Sequence, residues 1–153
     1  MSDFSASWYG MKETPDIGIT AMGGGGKNDK NDKNNNAAHY SLIMQLEHTH
    51  GWLEQKGKKM SSWAHKLVAQ SKTAMNASDN LRSDMIKNVD AHKKLLREKV
   101  HMHQSNKKTF DDFISLLRKA FPDDIVIKKR ISETVKLHEL FIADGKKAKD
   151  LIK

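Results

Sequence analysis

The chain has 153 residues, with 27 lysines and arginines against 19 aspartates and glutamates, a formal charge of +8 and a hydrophobic content of 37%. This length permits one domain of ordinary size and excludes a large multidomain enzyme, and the absence of cysteine removes disulfides, thiol nucleophiles and Cys-ligated zinc. No apolar run approaches the roughly 20 residues that cross a bilayer, and the start MSDFSASWYG lacks the basic region and apolar stretch of a secretory signal. The expectation is therefore a soluble protein, either cytoplasmic or secreted without a classical signal peptide.

The first 36 residues hold four lysines and five acids, a net charge of −1. Set aside from the totals, they leave 23 basic against 14 acidic residues, or +9, for residues 37–153. Gly23 to Gly26 are followed by KNDKNDKNNN, which carries nearly balanced charge and no apolar residue. Such a stretch buries too little surface to offset the entropy of ordering its backbone, so 23–36 reads as a flexible linker. Residues 1–36 are then a disordered arm and linker, and 37–153 a basic helical domain. Ahead of the linker, the arm holds Phe4, Trp8, Tyr9, Ile17, Ile19 and Met22. Aromatic and β-branched side chains in such an arm point to a short linear motif that orders on a partner by adding a strand at 16–21. Its partner-binding residues are Trp8, Tyr9, Asp16, Ile17, Ile19 and Thr20; the plainer alternative is a frayed terminus.

From Ala38 onward the only proline is Pro122 and helix formers are common, which predicts an all-α bundle or elongated helical hairpin. Leu42, Leu46, Leu53, Met60, Trp63, Leu67, Ala74 and Leu81 are spaced mostly by three, four or seven, and Met85, Val89, Leu96 and Val100 continue the stripe. Gly51, Gly57 and the run from Asn76 to Asn80 are the places for breaks, giving helices near 38–56, 59–76 and 79–104. Thr109, followed by Asp111 and Asp112, is read as the cap of a helix starting at Phe110 that presents Phe113, Leu116, Leu117 and Ala120 to one side. That helix stops at Phe121, because Pro122 disfavours the α conformation in the residue before it. Asp123 or Asp124 caps the last helix, which carries Ile127, Ile131, Val135, His138, Phe141 and Ile142 as far as Asp144-Gly145, leaving a short basic tail. Trp52 and Trp63 are read as packing residues.

Eight histidines include the pairs His48/His50 and His101/His103. Residues two apart on a helix point about 200° apart, so neither pair forms a two-ligand face, and solvent-facing imidazoles are the expectation, with no metal site. A site shared by His50 and His101 with Glu47 or Glu98 would require the two segments to meet. The run GGGGKND lacks the spacing that wraps a phosphate, no nucleophile elbow occurs, and the paired aspartates sit where helix starts favour acids. No catalytic residue and no cofactor are assigned. The stronger signal is the recurring basic clusters, above all Lys93, Lys94 and Arg97, and Lys128, Lys129 and Arg130. On one face they would bind a polyanion, either nucleic acid without sequence preference or an anionic membrane surface; scattered, they are solvated helix faces.

The order TPDIGITAM, GGGGK, polar linker, then AAHYSLIMQLEHTHGWLEQ resembles the amino-terminal translocation region of colicins, bacteriocins that enter Gram-negative cells. In that family a disordered arm captures periplasmic energy-transducing proteins, a Gly-rich linker follows, and long helices engage outer-membrane proteins. Asp16-Ile17-Gly18-Ile19-Thr20-Ala21-Met22 is similar to a TonB-box, and the resemblance covers Met1 to about Gln55. The long apolar hairpin of pore-forming members is absent, and the histidine-rich metal motif of nuclease members does not follow Thr109-Phe110-Asp111-Asp112-Phe113. The resemblance implies a binding and translocation module whose partner is a bacterial envelope protein or receptor. A basic nucleic-acid-binding protein is the alternative, and a homo-oligomer that buries its stripe between chains is a third.

Overall fold

The computed structural model describes residues 32–153, with side chains from Ala37 onward. Five helices follow one another: α1 (Asp32–Lys56), α2 (Lys59–Met75), α3 (Asp79–Ser105), α4 (Lys107–Ala120) and α5 (Ile125–Leu151). Among the described residues there is no strand, in keeping with the all-α expectation.

The five helices pack as three rods. α1 and α2 run parallel to α5 at an almost constant spacing in sequence: Glu47 meets Arg130, His50 meets Thr134 and Ser61 meets Asp144, at separations of 83, 84 and 83 residues. Together they form a first rod, kinked at Gly57-Lys58. A Cβ at position 57 would come within 2.9 Å of the Leu53 carbonyl oxygen, so the kink is built on glycine. α3 and α4 form a second rod, interrupted at Asn106, that runs antiparallel to the other two. Trp52 and Trp63 of the first rod touch His103 and His92, while Arg97 and Phe110 touch Ile152 and His138 of the third. At 1.5 Å per residue, the rods are about 66, 63 and 40 Å long.

The core is the apolar stripe read from the sequence. Trp63, Phe113, Leu46, Leu53, Leu67, Leu96, Leu117 and Ile131 are all at most 1% exposed. Each such side chain contributes about 1.5–3 kcal/mol through removal from water. Leu81 departs from the stripe: it is 59% exposed, because it lies beyond the end of α5 and has no third helix to face.

Polar contacts fix the register of the rods. α2 begins at Lys59 with no side-chain cap of its own, and Asp144 of α5 supplies one from across the interface. Its carboxylate accepts the Ser61 backbone N–H at 3.0 Å and the Ser61 hydroxyl. A negative charge is favourable at that end of a helix. Next to it, Gly145 is buried where α2, α3 and α5 converge, and an added Cβ would stand 3.2 Å from both Met60 Cε and Val100 Cγ1.

Several boundaries differ from the sequence reading. α5 does not stop at Asp144-Gly145 but continues to Leu151, since Gly145 here serves close helix packing, which outweighs its low helix propensity. Residues 32–36, read as linker, are helical, as one-residue extension of an already nucleated helix is inexpensive. α4 starts at Lys107, so Thr109 lies inside the helix and caps nothing, while Asp111 and Asp112 pair with Lys107 and Lys108 at 2.7 and 3.0 Å. Gly51 interrupts nothing. The stop after Ala120 and the Asp124 cap, which accepts the Ile127 N–H at 3.1 Å, are as expected. Of the disordered arm and linker expected at residues 1–36, residues 1–31 lie outside the described residues.

Candidate functional site

The partner-binding residues assigned to the arm, Trp8, Tyr9, Asp16, Ile17, Ile19 and Thr20, also lie outside the described residues. The six residues of the basic patch can be placed. Arg97 donates to the Ile152 carbonyl oxygen at 3.2 Å, satisfying a group at the carboxyl end of α5. Arg130 bonds Glu47 at 3.0 Å and the His50 Nε2 at 2.9 Å. Both arginines therefore hold helices together. Lys128, Lys129 and Lys94 are exposed and Lys93 is half-buried. Because Arg97 sits against the end of α5 and Lys128 near its start, the two clusters are about 36 Å apart along the bundle. The fold does not bring them into one patch.

The histidine pairs divide as a helix requires. His48 and His101 are exposed, whereas His50 and His103 are buried, which corrects the expectation that both pairs face solvent. Arg130 donates to His50 Nε2, so His50 Nδ1 carries the hydrogen and donates to Thr134 Oγ1 at 3.0 Å. Thr134 passes its own hydrogen to the Arg130 carbonyl oxygen at 2.8 Å. The chain of donors closes on itself between α1 and α5. His103 lies between Trp52 and Phe141, with ring centroids 5.8 and 4.8 Å away, and His138 stacks on Phe110 at 3.8 Å. Burial pushes the His138 imidazole down to about 4, with Asp111 raising it and Lys107 lowering it to lesser degrees. Burial also lowers His92. Among the described residues no group of three or more histidines and acids is arranged to hold a metal ion.

Two surface features stand out. The first is a projecting hairpin. With Asp144 level with Ser61, α5 ends about level with position 69, so α2 runs on for roughly six residues and the α2–α3 hairpin projects about 9 Å beyond the third rod. Met75, Leu81 and Ile86 on this hairpin are exposed, the first two by 67% and 59%. The second is a cleft of about 720 Å³ on the seam between the first rod and α5, beside the Gly57 kink. Leu53, Leu137, Leu140 and Ala143 line it, and Lys58, Lys59 and Lys147 converge on its edge. The convergence of Lys147 with Lys58 and Lys59 was not evident from the sequence, where they lie far apart; the parallel packing of α2 on α5 brings them together.

No known protein family, curated protein or solved structure matches the chain. No helix among the described residues is long and apolar enough to cross a membrane.

Proposed function

We propose that this chain is a helical binding module of the bacteriocin type, in which the arm at residues 3–22 captures a partner protein and the elongated body docks to a receptor on a bacterial envelope. The observation that carries this reading is the projecting hairpin. A two-helix extension of about 9 Å, with Met75, Leu81 and Ile86 turned outward, offers an apolar surface for such a contact. Catalysis calls for polar groups converging in a water-excluding cleft, whereas the buried His50, Ser61 and Thr134 cross-link helices. The amino-terminal resemblance supplies the envelope; the body supplies length, stiffness and an excess of positive charge that favours approach to an anionic surface.

Cosedimentation of the full chain with Gram-negative outer-membrane vesicles tests the reading. Binding should fall at least tenfold in a triple variant Met75→Asp, Leu81→Asp, Ile86→Asp whose helicity by circular dichroism is unchanged. Removing residues 1–22 should leave vesicle binding intact while abolishing capture of a periplasmic partner. Absence of vesicle binding by the full chain, or binding indifferent to the triple change, refutes the proposal.

A further inference from the structure

The second surface feature lies on the stem and is independent of the hairpin. Along the outer seam of the first rod and α5, helical spacing turns Tyr40, Met44, Val126 and Leu140 to one side. All four are more than half exposed, at 65%, 53%, 77% and 65%. The 83-residue register between the rods sets Tyr40 and Met44 level with Val126, and Leu140 within the cleft beside Gly57. Further apolar side chains thus lie down the seam from that apolar floor, beyond the ionic group of Glu47, Arg130 and Glu133.

We propose that this seam is the docking site of an acidic amphipathic helix from a partner protein. Three properties select that occupant. The cleft extends over Leu53 to Ser62 on one wall and Leu137 to Lys147 on the other, about 15 Å, or close to three helical turns. Dividing about 720 Å³ by that length gives a cross-section near 50 Å², broad enough for a row of leucine-sized side chains laid down from a helix. The rim carries a net positive charge: Lys58, Lys59 and Lys147 stand against two carboxylates, Glu54, which lies 3.5 Å from His50 Nε2, and Asp144, which is bonded to Ser61. Glutamates flanking the apolar stripe of an incoming helix would meet those lysines, whereas a second copy of this chain, with its +8 charge, is disfavoured there. The recognition is helix-in-groove, with anchors at i, i+3, i+4 and i+7.

The test uses the full chain and two fluorescein-labelled synthetic peptides of twelve residues. They share one face of leucines at those spacings and differ only in carrying glutamates or lysines elsewhere. Fluorescence anisotropy should show the glutamate peptide binding at least tenfold more tightly than the lysine peptide. Leu140→Asp should abolish the binding; Leu140 is largely exposed, so this change probes the surface and not the core. The triple reversal Lys58→Glu, Lys59→Glu, Lys147→Glu should invert the preference in favour of the lysine peptide. Equal binding of both peptides, insensitivity to Leu140→Asp, or a preference that survives the charge reversal overturns the proposal. So does a dimer seen by light scattering that Leu140→Asp dissolves, since the seam would then be covered by a second copy.

Discussion

The stem and the projecting hairpin are built from the same rods and differ in one respect: the stem has α5 and the hairpin does not. In the stem, the first rod, the second rod and α5 share a core in which Trp63, Phe113 and Leu117 are fully buried. Past Ile152 only α2 and α3 remain, held by small contacts such as Ala74 and Val89, and their other apolar residues turn outward. Two helices bury one stripe each, whereas three close a core. The chain thus closes its core in the stem and leaves the hairpin with a two-helix interface alone.

The largest effect should come from the stem. Phe113→Ala removes a fully buried ring and is expected to cost about 3–5 kcal/mol, measured by urea unfolding; a loss below about 1 kcal/mol would break the contrast. pH should act on the same region. Because the His138 value in the fold lies below the ordinary 6.5, the unfolded chain takes up the proton first as the pH falls. Stability attributable to His138 is therefore complete above about pH 6.5, declines toward about pH 4, and by then has dropped by up to about 3 kcal/mol. Urea midpoints across that range should fall with pH, and the fall should be shallower in His138→Leu.

Gly145→Val is expected to overfill the junction with Met60 and Val100 at a cost of about 1–3 kcal/mol, seen as a lower urea midpoint. Asp144→Ala should remove about 1–2 kcal/mol by leaving the start of α2 without its cap. On the hairpin, Leu81→Ala should shift stability by no more than about 0.5 kcal/mol, because its side chain is already in water. A hairpin substitution as costly as Phe113→Ala would mean that the two regions are not distinct.

Much of this fold was legible in the sequence, because the apolar stripe, Pro122 and Asp124 act within a few residues of themselves. Leu42, Leu67 and Leu96 could be assigned to the core by spacing alone. What was not legible depends on partners distant in the chain. Gly145 signals a helix stop by propensity, and only the approach of Met60 and Val100 explains why the helix runs on. Leu81 belongs to the stripe by period, yet it is exposed because α5 ends before reaching it. The basic clusters looked like one functional unit, but Arg97 and Arg130 are used at opposite ends of α5 to hold the bundle together. Conversely, Lys147 meets Lys58 and Lys59 through the parallel register of α2 and α5.

The contrast between stem and hairpin turns on how far α2 and α3 extend past α5. With no native cysteine, spin labels can be placed uniquely by Ser78→Cys and Lys153→Cys. Double electron–electron resonance should give a narrow distribution centred at about 20 Å, from an axial offset of about eight helical residues, roughly 12 Å, a helix spacing of about 10 Å and the labels. A distance below about 15 Å, or a broad distribution, would show that the hairpin does not project and would contradict both the two-region architecture and the binding role built on it.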